Sequence, residues 1–474
     1  MTGTSARLGS EQRMPQRDHG AAALLLFALL VVAFLIFSPQ LFNDGDTSWH
    51  LAAGRLILDT RAVPGSDPFS FTAAGQPWTA HEWLAEVTMA AAFRAASWGG
   101  VAVLGASAVG ALLLLLGAEL HRRLSSRHVA LALALVLAVL APFTLARPHV
   151  FAWPLLAGWT ILLLRAREAH RAPPLASAML MIVWSNLHAS FVMGLGLVAV
   201  FALEALVEET GRGRALRGWA TFGILSLASA LLTPHGLQGL LYPLQVSSMK
   251  ALPMIMEWRP TTFAQDATFL AVVTGTALLL LLRRVRVPLV RALLLAGLLY
   301  LAMSHVRHQP LVAILGPLLL AEPLSRRSGH EPRPLPAWLS IAFGLGVLLL
   351  AAVRIPLSLP RSDSASNPVT AIAHLPTALR SRPVLNSYGF GGPLILAGIR
   401  PFIDGRGDMY GDAFMFEHGR VIDGDPAAFA RDVRRWGIGW TILEPHAPLV
   451  RLLDNSPDWR RAYADQWAIV HVRR

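Results

Sequence analysis

The sequence predicts an all-α polytopic membrane bundle of about eleven spanning helices, followed by a small C-terminal extracytoplasmic α/β domain. Three observations predict it. Of 474 residues, 54% are hydrophobic and only 15% are charged, where soluble domains carry about 25% charged residues. Apolar blocks at 21–37, 100–117, 130–145 and 337–353 approach or reach the ~17–25 residues that cross a bilayer as a helix. Beyond Arg382 such blocks stop, and short β-branched runs alternate with turns.

In chain order, the expected spans are 21–37, 100–117, 129–145, 149–164, 174–185, 190–206, 219–233, 268–282, 288–303, 309–322 and 337–353. The segment 174–186 is short and reads equally as half of one long, broken helix. Nineteen arginines (Arg7, Arg13, Arg17, Arg122, Arg123, Arg127, Arg165, Arg167, Arg171, Arg212, Arg214, Arg217, Arg283, Arg284, Arg286, Arg291, Arg326, Arg327 and Arg333) fall on every second loop, and the opposite short loops hold seven basic residues. The positive-inside rule then puts the amino terminus in the cytoplasm, and an odd number of spans puts everything after Val353 outside. The expected organisation is a cytoplasmic tail 1–20, a transmembrane part 21–353 with a first outside loop 38–99, a linker 354–380 and an outside domain 381–474, in a bacterial inner membrane. Arginines before the apolar block 21–37 resemble a secretory signal, but no small-x-small cleavage pattern follows, so the block is read as an uncleaved span.

The composition excludes several chemistries. With no cysteine there are no disulfides, thiolate metal sites or cysteine nucleophiles. The formal charge of +12 does not indicate nucleic acid: Lys250 is the only lysine, and membrane topology accounts for the arginine excess. No glycine-rich nucleotide loop, HExxH zinc motif or GxSxG elbow stands in the outside loops.

Kind of residue, more than charge, separates the two faces. The arginine-rich loops are plain, whereas the opposite loops collect Asp, Glu, His, Trp and Asn. The first outside loop holds Asn43-Asp44-Gly45-Asp46-Thr47-Ser48-Trp49-His50 and later His81-Glu82. Two carboxylates one glycine apart, Asp44 and Asp46, can chelate a divalent cation such as Mg or Mn, or leave one free as a general base. The competing reading is a turn at Asp44-Gly45 and a helix cap at Asp46. Later loops of the same side bring Arg147 and His149, His188, His235, Glu257 and Arg259, and His305 and Arg307. Snorkelling to the interface or a satisfied structural histidine explains each alone; together they indicate a polar cavity open to the outside. Arginine forks there suit a phosphate or pyrophosphate, and one beside a bilayer suggests a lipid-linked phosphate.

In the tail, strands are expected at 383–386, 401–404, 439–444 and 466–472, with helices at 426–436 and 448–454. Asn386–Gly392 reads as a flexible aromatic loop containing Tyr388, and the loop with Asp404, Arg406 and Asp408 either touches ligand or is braced by internal salt bridges.

These residues resemble the GT-C superfamily of polyprenyl-phosphate-dependent glycosyltransferases: a dozen or so spans, a long first outside loop with an acidic motif directly after the first span, and an outside C-terminal domain. The resemblance implies that Asp46, then Asp44, is a catalytic base or metal ligand, with Glu82 a further catalytic candidate. It implies substrate binding by His50, His81, Arg147, His149, His188, His235, Glu257, Arg259, His305, Arg307, Tyr388, Asp404 and Arg406. The implied partners are a polyprenyl-phosphate-linked sugar, membrane lipid and an acceptor glycan, lipid or protein. Asn386–Gly392 is similar to the aromatic, glycine-containing acceptor motif of the oligosaccharyltransferase catalytic subunit, with Asn386-Ser387-Tyr388 near the place of its Trp-Trp-Asp. Arg147-Pro148-His149 stands where that enzyme has a second acidic motif. Similarity is closer to bacterial membrane proteins that share the first loop and the Phe402-Ile403-Asp404-Gly405-Arg406 motif. The expected function is transfer of a sugar from the lipid-linked donor to an extracytoplasmic acceptor. The alternatives are a non-catalytic scaffold that handles lipid-linked glycans and a transporter.

Overall fold

The computed structural model describes residues 19–208, 211–325, 336–359 and 361–474. The expected cytoplasmic tail up to His19, and Arg7, Arg13, Arg17, Arg326, Arg327 and Arg333, lie outside the described residues.

Every expected span coincides with a helix. α1 (His19–Phe37) leads through a short turn to α2 (Asp46–Thr60), and α3 (Trp83–His121) is kinked at Ala96 and Ser97. Then come α4 (Ser126–Leu140), α5 (Pro148–Glu168), α6 (Leu180–Leu187), α7 (Phe191–Glu208) and α8 (Arg212–Ala230). α9 (Gly236–Ser247), α10 (Phe263–Leu282), α11 (Leu289–Ser304), α12 (Gln309–Ser325) and α13 (Trp338–Arg354) complete the bundle. Among the described residues, six helices are long and apolar enough to cross a membrane by length and composition. The doubtful segment 174–206 is two helices, broken where His188 takes an extended conformation.

The bundle interior is one apolar cluster running from Ala21 to Phe343. Its outer surface is apolar too: Phe34 is 72% exposed, Leu281 78% and Leu348 66%, a surface that suits lipid rather than water. The arginine-rich end is not a set of free charges. Buried Glu204 joins Arg167 of α5 at 3.4 Å and Arg291 of α11 at 2.7 Å, and Glu119 of α3 takes Arg165 at 2.7 Å. Such buried ions hold only because each is paired.

The C-terminal unit contains α14 (Val369–Ala373), α15 (Thr377–Arg380), β1 (Val384–Asn386), α16 (Gly391–Leu396), α17 (Gly407–Ile422), α18 (Pro426–Trp436), β2 (Trp440–Leu443), α19 (Pro448–Asp454), β3 (Trp459–Ala464) and β4 (Ile469–Arg473). The sheet order is β1-β2-β4-β3, with β1 parallel to β2 and the other pairs antiparallel. β1 and β2 are buried at every residue, and an apolar cluster lies on each face, as expected of strands covered by helices. α18 starts with Asp425 accepting from the N–H groups of Ala427 and Ala428, and ends at Gly437 in the left-handed region.

Three expectations are corrected here. Residues 401–404 form no strand: Asn386 ties them down instead, its side chain bonding Phe402 N–H and Ile403 C=O at 2.8 Å each. Residues 386–392 are not a flexible loop but the buried end of β1 running into α16. The segment read as linker contributes Ala371, Ile372, Leu375 and Leu379 to the core beside the sheet.

The unit docks on the first loop through glycine. A β-carbon on Gly45 would sit 2.1 Å from the Gly389 carbonyl oxygen, one on Gly392 2.1 Å from that of Gly45, and one on Gly405 1.9 Å from Asp46 Oδ1. Only residues without side chains permit this approach. Gly45→Ala is therefore expected to cost about 3 kcal/mol, the upper end for overpacking, read as a lowered melting temperature of the detergent-purified protein. An unchanged melt would mean that the contact is looser than described.

Candidate active site

The turn after α1 and the start of α2 set the first element of the site. Asp44 Oδ1 accepts the Asp46 N–H at 2.7 Å, so Asp44 closes the turn and the Asp46 side chain caps nothing. Arg147 arrives from the start of α5, where Pro148 at the first helical position fixes the entry. Its guanidinium lies 3.0 Å from Asp44 Oδ2, 3.0 Å from Asp46 Oδ2 and 3.4 Å from Glu257 Oε2. Glu257 also faces Arg307 at 3.3 Å, and Arg307 stacks 4.2 Å over the Trp258 ring. Five expected residues (Asp44, Asp46, Arg147, Glu257 and Arg307) thus form one cluster.

A second cluster adjoins it. Glu82 lies 3.4 Å from His188 Nε2, 3.6 Å from His81 Nε2 and 3.8 Å from His50 Nε2. His50 Nδ1 is 3.2 Å from Glu86. His188 Nδ1 receives the Ser190 N–H at 3.1 Å, which leaves its Nε2–H to donate toward Glu82. Sequence reading missed Glu86, although it lies one helical turn beyond Glu82 and so shares its face. It also missed Tyr242 of α9, whose ring packs 4.3 Å from His81 and whose hydroxyl meets Asp408. No sequence pattern links those three positions.

Burial pushes the Asp46 carboxyl up to about 7; Arg147 opposes this, and the charges of Asp44 and Glu257 reinforce it. Burial would raise Glu82 as well, but the surrounding His81, His188 and His50 reverse that and hold it well below the carboxylate range. Burial lowers His81, yet Glu82 more than compensates and raises it. Burial alone would raise Glu257 too, and Arg147 and Arg307 hold it low. Two adjacent carboxylates thus differ in character: Glu82 is fixed as an anion, and Asp46 exchanges a proton near neutrality.

Other expected residues have partners of their own. Arg259 is held in a two-pronged pair by Asp266 at 2.7 and 2.9 Å, so its fork is spent. His149 bonds the Phe143 carbonyl, and His305 bonds the Trp258 carbonyl, both at 2.8 Å. His235 opens α9 and lies near His81, its ring bonding the Ala80 backbone. Tyr388 donates to the Gly405 carbonyl at 3.0 Å, beside Asp46. Asp404 and Arg406 brace each other: Arg406 is 2% exposed, gripped by Asp404 at 2.7 Å and by Asp67 of the first loop at 2.8 Å, between the rings of Phe69 and Trp78. The bracing alternative holds for these two.

The Asp44–Asp46 pair does not fit a divalent cation as it stands, because its outward oxygens are engaged by Arg147. Among the described residues, no group of three His, Asp or Glu side chains is arranged to hold a metal.

No protein-family profile matches the chain, and no curated protein matches it by sequence. Solved structures do match in shape. The archaeal oligosaccharyltransferase AglB from Archaeoglobus fulgidus, in complex with an inhibitory peptide and a dolichol-phosphate, aligns with TM-score 0.54 at 12% identity over 90% of this chain and 70% of its own. ArnT from Cupriavidus metallidurans bound to undecaprenyl phosphate aligns with TM-score 0.53 at 13% identity over 96% and 98%. The chain has the GT-C fold. At such identity the likeness is one of fold, and it extends over both the bundle and the C-terminal unit. The Archaeoglobus enzyme has also been solved in complex with Zn and sulfate, at TM-score 0.51 and 13% identity over 89% and 68%.

Removing one partner from a buried ion pair strands the other charge. Asp404→Asn is therefore expected to cost about 3 kcal/mol in the unfolding free energy. A variant that melts like wild type would return Asp404 to the ligand-binding candidates.

Proposed function

We propose that this protein is a membrane glycosyltransferase that takes a sugar from a polyprenyl-phosphate-linked donor and passes it to an acceptor at the face carrying the C-terminal unit, outside the cytoplasm. The observation that carries the reading is Asp46. It is a carboxylate able to exchange a proton near neutrality, 19% exposed, set beside paired arginines at one end of an apolar bundle whose GT-C-fold neighbours were solved with polyprenyl phosphates.

In this mechanism Asp46 takes the proton of the acceptor hydroxyl as its oxygen bonds to the anomeric carbon of the donor. The bond from that carbon to the phosphate oxygen breaks, its electron pair stays on the phosphate, and polyprenyl phosphate leaves. Arg307 is the group that meets this charge. Trp258 stacking holds its plane, Glu257 is its one carboxylate partner among the described residues, and it is 29% exposed. Arg259 is committed to Asp266 and takes no part. Glu82 and its histidines position the first loop, and His81 joins them to Tyr242 and Asp408.

The test is turnover of radiolabelled sugar from a panel of synthetic polyprenyl-phosphate sugars by the purified full chain. Asp46→Asn is expected to lose ~10²–10⁴ of the rate while melting like wild type; retained turnover sinks the assignment. The base form of Asp46 grows with pH, so the rate should fall about tenfold per pH unit below the range near 7 and level off above it. Arg307→Ala should weaken donor-phosphate binding roughly tenfold. Donors that all stay intact while lipid phosphate still binds would favour the non-catalytic glycolipid-handling alternative.

A further inference from the structure

We propose that Arg147 is a resident cation standing in for a divalent metal among Asp44, Asp46 and Glu257, so that the site operates without metal and binds none. The three carboxylates come from two places: Asp44 and Asp46 from the turn that opens α2, and Glu257 from a short helical turn before α10. Asp44 and Glu257 lie 103 and 110 residues from Arg147 in the chain, so no local pattern forces the meeting. Carboxylates brought this close repel one another unless a positive charge stands between them. Arg147 supplies it, within 3.0, 3.0 and 3.4 Å of the three.

Two properties of the guanidinium make it a substitute rather than a bystander. Its charge survives at any accessible pH, and its planar fork meets several oxygens at once. It is also tethered at the start of α5, so it cannot dissociate as an ion can. A divalent cation could enter only by expelling it.

The part Arg147 plays in transfer rests on Asp46 being the base; its exclusion of metal does not. The experiment therefore reads Mn²⁺ binding directly, by the EPR signal of the free ion, on the purified full chain in detergent at mildly alkaline pH. Wild type and Arg147→Lys are expected to leave the signal intact. Arg147→Ala should bind Mn²⁺ roughly tenfold or more tighter than wild type, and adding Asp44→Asn and Glu257→Gln should abolish that binding. Mn²⁺ bound by wild type as tightly as by Arg147→Ala overturns the proposal. So does a folded Arg147→Ala that binds none. Should the alanine variant not fold, the wild-type titration decides, since tight binding there is fatal. In a parallel arm, sugar transfer should be the same with and without EDTA, and a loss restored by Mn²⁺ overturns the proposal. Transfer absent from every sample counts against the glycosyltransferase reading and leaves the EPR result to judge Arg147.

Discussion

The contact between Asp44-Gly45-Asp46 and the loops around Gly389, Gly392 and Gly405 is the constraint on which the site depends. A carboxylate at the end of a membrane helix would ordinarily be hydrated, and its proton affinity would be that of any aspartate. Here backbone from a different part of the chain closes over it within a distance that excludes even a methyl group. Asp46 is buried beneath this contact, and burial pushes its carboxyl up to about 7. The Asp404–Arg406–Asp67 grip holds the same two segments together from the next loop, with the cation sandwiched on Phe69 and Trp78. Its burial makes it a fastening, and its charges are spent in that work.

Electrostatic balance then separates the roles. Among the described residues, Arg147 is shared among three carboxylates, Arg259 is bound by one two-pronged partner, and Arg307 has a single carboxylate partner and a stacking ring. Three arginines that look equivalent in composition therefore differ in what they have left to give an anion. The histidines divide in the same manner. His50, His81 and His188 surround Glu82, while His149 and His305 bond main-chain carbonyls and stiffen the rim.

The legible part of the fold was the part governed by solvent. Helices that must bury every backbone polar group in lipid need long apolar runs, and these runs can be counted without knowing their neighbours. The strands at 384–386, 440–443 and 469–473 were visible for a related reason, since strands on a covered sheet are buried and mostly apolar. β3 was missed because its pattern is mostly exposed and carries Arg460 and Arg461, and α17 because Gly407, Gly411 and Gly419 mask its periodicity. The supposed strand at 401–404 has strand-like composition, but the Asn386 amide takes up the hydrogen bonds a ladder would need.

From the sequence alone came the membrane bundle, the polar face and the list of charged residues on it, because composition and periodicity respond to solvent one segment at a time. Which of those residues meet was decided only in three dimensions. Arg147 and Glu257 stand 110 positions apart, and a salt bridge of that span leaves no periodic trace. Whether a carboxylate is pushed up toward neutrality, braced by a cation or held as an anion follows from what surrounds it. For Asp46, Asp404 and Glu82, chemically near-identical, only packing made that difference, because burial and neighbouring charge act through space and not along the chain.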